Sequence, residues 1–270
     1  MSRFLSALCV ALALSFIADM RTDGLAPWKI EGGLSSLQEA PLKPEIREIL
    51  SQPFRYLAKG RQCFVFESGD GKYVLKFFNQ TYFKMPWYSF LLGEKESAKR
   101  SLRRSFYQHS YEIALKECGD EIVYLHKGLS SDLPVIKAKG YVEYKMDLNR
   151  IPFVLQKKGE PLYPRLEMIY QAEGLEGLCR EIDRFVFLIS ERMAKNIADG
   201  DRDVEHNWGY VEGRLFHLDP GRLYYDSSLT EEKRRQKEWE KNTHDLQKWL
   251  RRNHPEGASY LDRTLPISQR

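Results

Sequence analysis

The chain changes character near its middle, and this change is the feature that most restricts its fold. Between Phe54 and Gln156, short segments rich in β-branched and aromatic residues, bounded by Gly, Pro and Asp, predict β-strands. After Gly159 the apolar residues recur at intervals of three and four, which is typical of helices that bury one face. Strands followed by helices indicate an α+β protein.

The individual elements follow from the same patterns. We expect strands at residues 55–57, 63–67, 72–78, 121–125, 135–139, 141–146 and 152–156. Gly69, Asp70 and Gly71 predict the turn of a hairpin between the second and third strands. Helices are expected at residues 45–50, 94–118, 175–197 and 228–252, the last with a solvated charged face.

Size and composition limit the class of protein. With 270 residues, of which 42% are hydrophobic, the chain is long enough to bury a large core or to form two lobes that share a cleft. The net charge of +4 is spread over 42 basic and 38 acidic residues, so we do not expect nucleic acid as a partner.

The N-terminus has the pattern of a secretory signal peptide or a short membrane anchor. Arg3 precedes an apolar run from Phe4 to Ala18, and polar residues follow. The run is shorter than the ~20 residues that span a bilayer comfortably. We therefore predict that residues 1–25 direct export or anchor the protein, with membrane contact through this segment. The alternative is a cytoplasmic protein whose N-terminal helix packs on its core.

The segment from Trp208 to Leu218 predicts a second hairpin, closed by Glu212 and Gly213. With these two residues at its centre, Asn207 lies opposite Leu218, next to Asp219. A carboxamide and a carboxylate then emerge together at the open end of the hairpin. Oxygen ligands of this kind suit Mg²⁺, which takes its remaining ligands from water and phosphates.

Three short strings resemble, in order and content, the motifs of the protein-kinase-like superfamily. They are GRQCFVFESGDGKYVLK (residues 60–76), DRDVEHN (residues 201–207) and LDPG (residues 218–221). The resemblance implies a two-lobed fold, with a β-rich N-lobe that contains one long helix and a small helical C-lobe. The N-lobe would be residues 53–157 and the C-lobe residues 158–270, with residues 1–25 as the signal or anchor and residues 26–52 as a linker.

In the N-lobe, the resemblance implies a nucleotide site. Lys76 is similar to the strand lysine that holds ATP phosphates, and the residues 60–62 to a reduced glycine-rich loop. The long helix should carry the acid that pairs with Lys76, and we prefer Glu112 to Glu117. The end of the seventh predicted strand, with Lys157, Lys158 and Gly159 after it, would form the hinge between the lobes, and its backbone groups would face the adenine edge. The cofactor-binding residues implied are Gly60, Arg61, Gln62, Lys76, Glu112, Gln156 and Lys157.

In the C-lobe, Asp219-Pro220-Gly221 resembles the D-F-G metal motif, and Asn207 the asparagine of the catalytic loop. Asn207 and Asp219 would then bind Mg²⁺. The catalytic aspartate departs from the pattern, because Arg202 stands five residues before Asn207. A loop shortened by one residue would place Asp203 as the base, and Asp201 is the alternative.

Three hypotheses follow. The first is an ATP- and Mg²⁺-dependent phosphotransferase that acts on an unidentified hydroxyl acceptor, either a small molecule such as a sugar or a protein. The second is a catalytically inactive pseudokinase, exported or membrane-anchored, that serves as a binding or scaffold module. The third is a structural or interaction domain in which the motifs are coincidental.

Overall fold

A computed structural model describes residues 23–32, 41–83, 93–140 and 143–265; within helix 93–117, only the backbone is described for residues 93–101, 104 and 105. The predicted signal or anchor lies almost entirely outside these ranges. The chain forms two compact units. The first contains residues 1–103 and 122–158, and the second contains residues 104–121 and 159–270.

The first unit is built on one sheet of seven strands. The strands are β1 (Phe54–Lys59), β2 (Cys63–Ser68), β3 (Tyr73–Phe78), β4 (Ile122–His126), β5 (Val135–Lys139), β6 (Glu143–Asp147) and β7 (Phe153–Lys157). Their order in the sheet is β4-β7-β3-β2-β1-β5-β6, and every pairing is antiparallel except that of β1 with β5. All seven predicted strands are confirmed, with ends shifted by a few residues.

One face of this sheet forms the core of the first unit. The pairings place Phe64, Phe77 and Phe153 in one row across three adjacent strands. The rings of Phe66 and Phe77 meet edge to face with centroids 5.4 Å apart, and those of Phe77 and Phe153 are 6.2 Å apart. Edge-to-face contacts of this kind add to the free energy gained by burying the rings.

Residues 26–52, predicted as a linker, contribute two helices, α1 (Pro27–Ile30) and α2 (Pro44–Ser51). The second confirms the short helix expected at residues 45–50. Ile30, Ile46 and Leu50 from this segment are buried in the core of the first unit. A further short helix, α3 (Gln80–Phe83), follows β3, and helix α4 (Gly93–Glu117) confirms the long helix predicted between β3 and β4.

The second unit is mainly helical. Its further helices are α5 (Leu162–Ala194), α6 (Val204–Asn207), α7 (Glu232–Asn253) and α8 (Pro255–Thr264). Its strands are β8 (Glu160–Pro161), β9 (Ile197–Asp199), β10 (Trp208–Val211), β11 (Arg214–His217) and β12 (Leu223–Tyr225), arranged as small sheets β11-β10-β8 and β12-β9. The α+β class is thereby confirmed.

Helix α5 begins earlier than the sequence pattern indicates. We predicted a helix from Leu175, whereas the structure is helical from Leu162 and is interrupted at Gly174, where φ is 64° and ψ is −155°. The predicted start therefore coincides with the second segment of a kinked helix. The expected apolar stripe of Leu178, Ile182 and Phe185 is buried in the core of the second unit.

The C-terminal helices also differ from expectation. Helix α7 begins at Glu232, and a turn of 3₁₀ helix occupies residues 227–230 before it. Its polar residues are not all solvated as predicted, because Glu238, Asn242 and Thr243 are buried. Within the described ranges, no helix combines the length and the apolar character needed to cross a bilayer.

Candidate functional site

Two candidate residues of the first unit, Lys76 and Gln156, lie on the sheet face opposite the aromatic core. Strand pairing places Lys76 between Val65 and Val154, and Val74 between Glu67 and Gln156. Side chains that are paired across neighbouring strands lie on the same face. Lys76, Glu67 and Gln156 therefore lie on one face of the sheet. Val65, Val74 and Val154 lie on it too, and we call it the polar face.

Lys76 and Gln156 are both buried, with exposed fractions of 8% and 1%. A lysine that projects to solvent from an exterior strand position, which is the commoner use of the residue, does not fit this burial. The position of Lys76 in a rigid central strand gives its ammonium group a defined direction.

Glu67 is a second charged group on the polar face. Its carboxylate accepts hydrogen bonds from Lys158 and, at 2.6 Å, from Arg55. These bonds, that from Lys158 foremost, hold the pKa of Glu67 below its usual value. Glu67 was not among the predicted residues, although its place two residues after Val65 in β2 assigns it to the same face as Lys76.

The predicted glycine-rich loop is a tight connection between β1 and β2. The amide of Gly60 donates to the carbonyl of Cys63 over 2.9 Å, and the amide of Asn79 donates to the carbonyl of Gln62 over 2.8 Å. The guanidinium of Arg61 lies 5.5 Å from the centre of the Tyr82 ring. The loop is thus tied to the end of β3. Lys157, the last residue of β7, is paired with Tyr73.

In the second unit, the hairpin has the register that the sequence predicts. Trp208 pairs with His217 and Val211 with Arg214, and Glu212 and Gly213 have the positive φ values of 52° and 76° required by such a turn. At its open end, the carbonyl of Asn207 accepts hydrogen bonds from the amides of Leu218, at 2.7 Å, and Asp219, at 3.3 Å. Asn207 and Asp219 are therefore neighbours, as expected.

Asp219 is held in place by two tyrosines of helix α4. The hydroxyl of the buried Tyr111 donates to Oδ1 of Asp219 over 2.9 Å, and its ring packs edge to face on Tyr107. The Tyr107 ring in turn lies on the backbone of Gly221, where an added Cβ would come within 2.2 Å of it. Gly221 is required here because only a residue without a side chain allows this approach.

The two candidate bases belong to a series of three aspartates, Asp199, Asp201 and Asp203. The carboxylate of each accepts a hydrogen bond from a backbone amide two or three residues later in the chain. Oδ1 of Asp199 accepts from the amide of Asp201 over 2.8 Å, and Oδ1 of Asp201 accepts from that of Asp203 over 3.2 Å. Asp203 caps helix α6, accepting from the amide of His206 over 3.1 Å. Asp201 also lies 3.4 Å from Nε of Arg222.

A buried charged network beneath this loop was missed at the sequence level. Arg192 lies 3.3 Å from Oδ2 of the fully buried Asp199 and donates to Oδ1 of Asn242 over 2.8 Å. Glu238, also fully buried, accepts from the amide of Asp199 over 2.8 Å and from Lys241 over 2.8 Å. The signal available was an acid that directly follows the apolar Ile197 and Ala198.

The two buried acids of this network are shifted in opposite directions. Burial raises the pKa of Asp199 to about 6, against the opposing effect of Arg192. Burial also acts to raise the pKa of Glu238, but hydrogen bonds from the Asp199 amide and from Lys241 outweigh it, and the pKa is lowered. The network therefore lowers the pKa of Glu238 and favours its ionised form, whereas burial raises the pKa of Asp199 and favours its neutral form.

Glu112, predicted to pair with Lys76, lies on α4 with its carboxylate 3.2 Å from Nδ1 of His109. Its alternative, Glu117, contacts Lys195 and Lys116. Among the described residues, no group of three or more His, Cys, Asp or Glu side chains is arranged to bind a metal. The predicted Mg²⁺ pair contributes a carboxamide and a single carboxylate. The binding of Mg²⁺ by Asn207 and Asp219 and the pairing of Glu112 with Lys76 remain predictions.

Comparison with known proteins adds little to this geometry. Neither a protein-family model nor a curated protein sequence matches the chain. Among solved structures, the chain is similar to one described as "ROP18 kinase domain in complex with AMP-PNP and sucrose", with a TM-score of 0.36 and 14% sequence identity. The match covers 63% of this chain and 51% of that chain, about half its length. This is a weak resemblance to a kinase fold and does not establish a shared function.

Proposed function

We propose that the protein is an ATP- and Mg²⁺-dependent phosphotransferase that acts on a hydroxyl acceptor. The observation that supports it best is the open end of the β10–β11 hairpin, where Asn207 and Asp219 are joined through backbone hydrogen bonds. A carboxamide beside a carboxylate is a donor set that Mg²⁺ accepts when phosphates complete its coordination.

The donors present fit this ion. Asp219 contributes a carboxylate, one oxygen of which accepts the Tyr111 hydroxyl, and the carboxamide of Asn207 offers a neutral oxygen. Asn207 and Asp219 would hold Mg²⁺, which when bound would supply positive charge that offsets the negative charge developing on the phosphates. Tyr111 orients the carboxylate, and Gly221 allows Tyr107 to support Tyr111.

Residues of the first unit supply the proposed contacts to the nucleotide. Lys76 would hold phosphate oxygens, with Glu112 of helix α4, in the second unit, as its ionic partner, and the amides of Arg61 and Gln62 would approach the phosphates. Gln156 and Lys157 would contribute backbone groups to the adenine edge. The position of Lys76 in a central strand supports its part, because the strand gives the ammonium group a defined direction.

The chemical step needs a base for the acceptor hydroxyl. The oxygen of the acceptor hydroxyl would bond to the γ-phosphorus, and the bond from that phosphorus to the bridging oxygen would break, which releases ADP. The hydroxyl proton would pass to Asp203, or alternatively to Asp201. Asp203 and Asp201 are both partly exposed at the same loop, with side-chain exposures of 46% and 33%.

A second candidate function is nucleotide binding without turnover. Asp203 caps helix α6 and contacts the His206 ring, and Asp201 is paired with Arg222. Because both carboxylates have structural partners, they would be retained in a pseudokinase that has lost the chemical step. This favours a binding or scaffold role as the alternative.

The first experiment is a thermal-shift titration of the full chain with ATP, with and without Mg²⁺. A ligand at 100 times its Kd stabilises the folded state by about 2.7 kcal/mol, which is a shift of several degrees. We expect a Mg²⁺-dependent rise in the wild type that is lost in Asp219→Asn and Lys76→Met. Asp262→Asn, an exposed aspartate of α8, is the matched control and should retain it. If the midpoint of thermal unfolding does not rise under any of these conditions, nucleotide binding is contradicted.

A second experiment separates turnover from binding. ADP release and transfer of the γ-phosphoryl group are measured for the wild type, Asp203→Asn and Asp201→Asn, each shown to retain the Mg²⁺-ATP thermal shift. Loss of turnover in one variant with retained binding identifies the base. Binding without ADP release in the wild type supports the pseudokinase instead.

A further inference from the structure

The second unit contains a large open cavity beside the loop that carries Asp201 and Asp203. Its volume is about 1030 Å³, and its walls come from the first turns of α5, the loop before α6, and the last turns of α7. Cavities that bind small molecules are commonly of ~300–1,000 Å³. The cavity is thus large enough for a ligand of several rings, and both candidate bases line it.

One wall of the cavity is aromatic and held rigid. The rings of Tyr163 and Trp249 are stacked, with centroids 4.8 Å apart and an angle of 4° between their planes. His254 packs on Trp249 at 5.3 Å, and its Nε2 donates a hydrogen bond to Oε2 of Glu167 over 2.9 Å. Tyr163 and Trp249 are both partly exposed and line the cavity, so they offer apolar surface to the C–H face of a ligand ring.

The remaining walls carry charges of both signs that are not paired with one another. Within the described part of the chain, Arg202, Lys248 and Arg252 form neither an ion pair nor a side-chain hydrogen bond, and the same holds for the cavity carboxylates Glu205 and Asp245. In contrast, all four arginines of α5 are paired, as Arg180 is with Glu173 and Glu176.

The mixture of charges selects for the chemistry of the ligand. Carboxylates only accept hydrogen bonds, and ammonium and guanidinium groups only donate them, whereas a hydroxyl does both. A polyanion would meet Glu205 and Asp245, and a polycation would meet the three basic side chains. A neutral molecule with many hydroxyls satisfies both kinds of group at once.

We propose that this cavity binds the acceptor, and that the acceptor is a neutral polyhydroxylated molecule, a sugar or polyol, whose ring lies on Trp249. The role of the bound molecule as phosphoryl acceptor rests on the proposed phosphotransferase function. The binding of a neutral polyhydroxylated molecule in the cavity does not. The hydroxyl presented to the Asp201–Asp203 loop would be the one that is phosphorylated.

The test is saturation-transfer difference NMR on the full chain, which detects weak binding. The probes are glucose, maltotriose and sorbitol, with glucose 6-phosphate and an Asp-rich peptide as anionic probes. We expect saturation of at least one neutral probe, reduced at least fivefold in Lys248→Ala/Arg252→Ala and in Trp249→Ala. Lys237→Ala, an exposed lysine of α7 outside the cavity, is the matched control and should bind as the wild type does.

The outcomes distinguish this inference from the proposed function. The polyol assignment is overturned if only the anionic probes show saturation. It is also overturned if the neutral probes show the same saturation with Lys248→Ala/Arg252→Ala as with the wild type. No binding of neutral probes with an intact Mg²⁺-ATP thermal shift overturns it while the phosphotransferase proposal stands. If a neutral probe binds in the cavity but Mg²⁺-ATP produces no thermal shift, the sugar or polyol site is supported and the phosphotransferase proposal is contradicted.

Discussion

The two units of this protein use polar residues in their interiors in opposite ways. The core of the first unit is formed by apolar and aromatic side chains on one sheet face, and the charged Lys76 and Glu67 lie on the other face. The second unit has an apolar core between its helices, but it also buries Arg192, Asp199 and Glu238 together.

This difference concerns how each unit positions its candidate site. In the first unit, Lys76 and Gln156 project from regular strands, so the sheet itself sets their direction. In the second unit, Asp201 and Asp203 lie in a loop whose start is fixed by Asp199, and Asp199 is fixed by ionic and hydrogen-bonded contacts. A buried charge that loses its partner is strongly destabilising.

The largest effect should come from Arg192→Ala. Removing this guanidinium leaves Asp199 and Glu238 buried without their shared cation, and we expect a loss of about 3–5 kcal/mol in the free energy of unfolding. Urea denaturation followed by circular dichroism measures it. Arg180→Ala, on the same helix but in a surface ion pair, should cost no more than about 1 kcal/mol. Equal losses would show that the network does not differ from surface pairs.

The second prediction concerns pH. Because the pKa of Asp199 is raised to about 6, its contribution to stability is complete below its ordinary pKa and is lost as the pH rises through 6. The stability of the wild type relative to Asp199→Asn should therefore fall between pH 4 and 7, by an amount on the order of 3 kcal/mol.

This measurement compares urea unfolding of the two proteins across the pH range. The lowered pKa of Glu238 gives a slope of opposite sign, but it acts in both proteins and largely cancels. Asp262→Asn, which changes an exposed carboxylate, controls for general effects of charge. A rise in relative stability with pH would show that the pairing with Arg192 outweighs the cost of burial.

The third prediction contrasts glycines of the two units. In Gly221→Ala the new methyl group would lie 2.2 Å from the buried ring of Tyr107, and we expect a loss of about 1–3 kcal/mol in the free energy of unfolding. The same substitution at Gly60 meets only ordinary contacts, the nearest being Cys63 Sγ at 3.6 Å, and should change stability by about 0.5 kcal/mol or less. Thermal unfolding of both variants tests the contrast, and equal shifts would contradict it.

The smallest effect should come from Arg55→Ala in the first unit. The side chain of Arg55 is 74% exposed, and Glu67 keeps its hydrogen bond from Lys158. We therefore expect a loss below about 1 kcal/mol. A loss in urea denaturation as large as that of Arg192→Ala would mean that the ionic contacts of the two units are equivalent after all.

Much of the fold could be predicted because its signals are local. Strand β5 was predicted at its observed limits, and the β10–β11 register followed from the two turn residues Glu212 and Gly213. The start of α5 was missed because Gly174 interrupts the helical pattern without ending the helix. The added strands β8, β9 and β12 contain at most three residues, too few to show a periodicity.

For the site, the sequence by itself determined the neighbourhood of Asn207 and Asp219, because a two-residue turn sets the pairing of every residue behind it. It also determined the strand position of Lys76. The tertiary structure alone decided the support of Asp219 by Tyr111 and the burial of Arg192, Asp199 and Glu238. These contacts join residues far apart in the chain, and no local pattern indicates whether a charged side chain will face solvent or a partner in the interior.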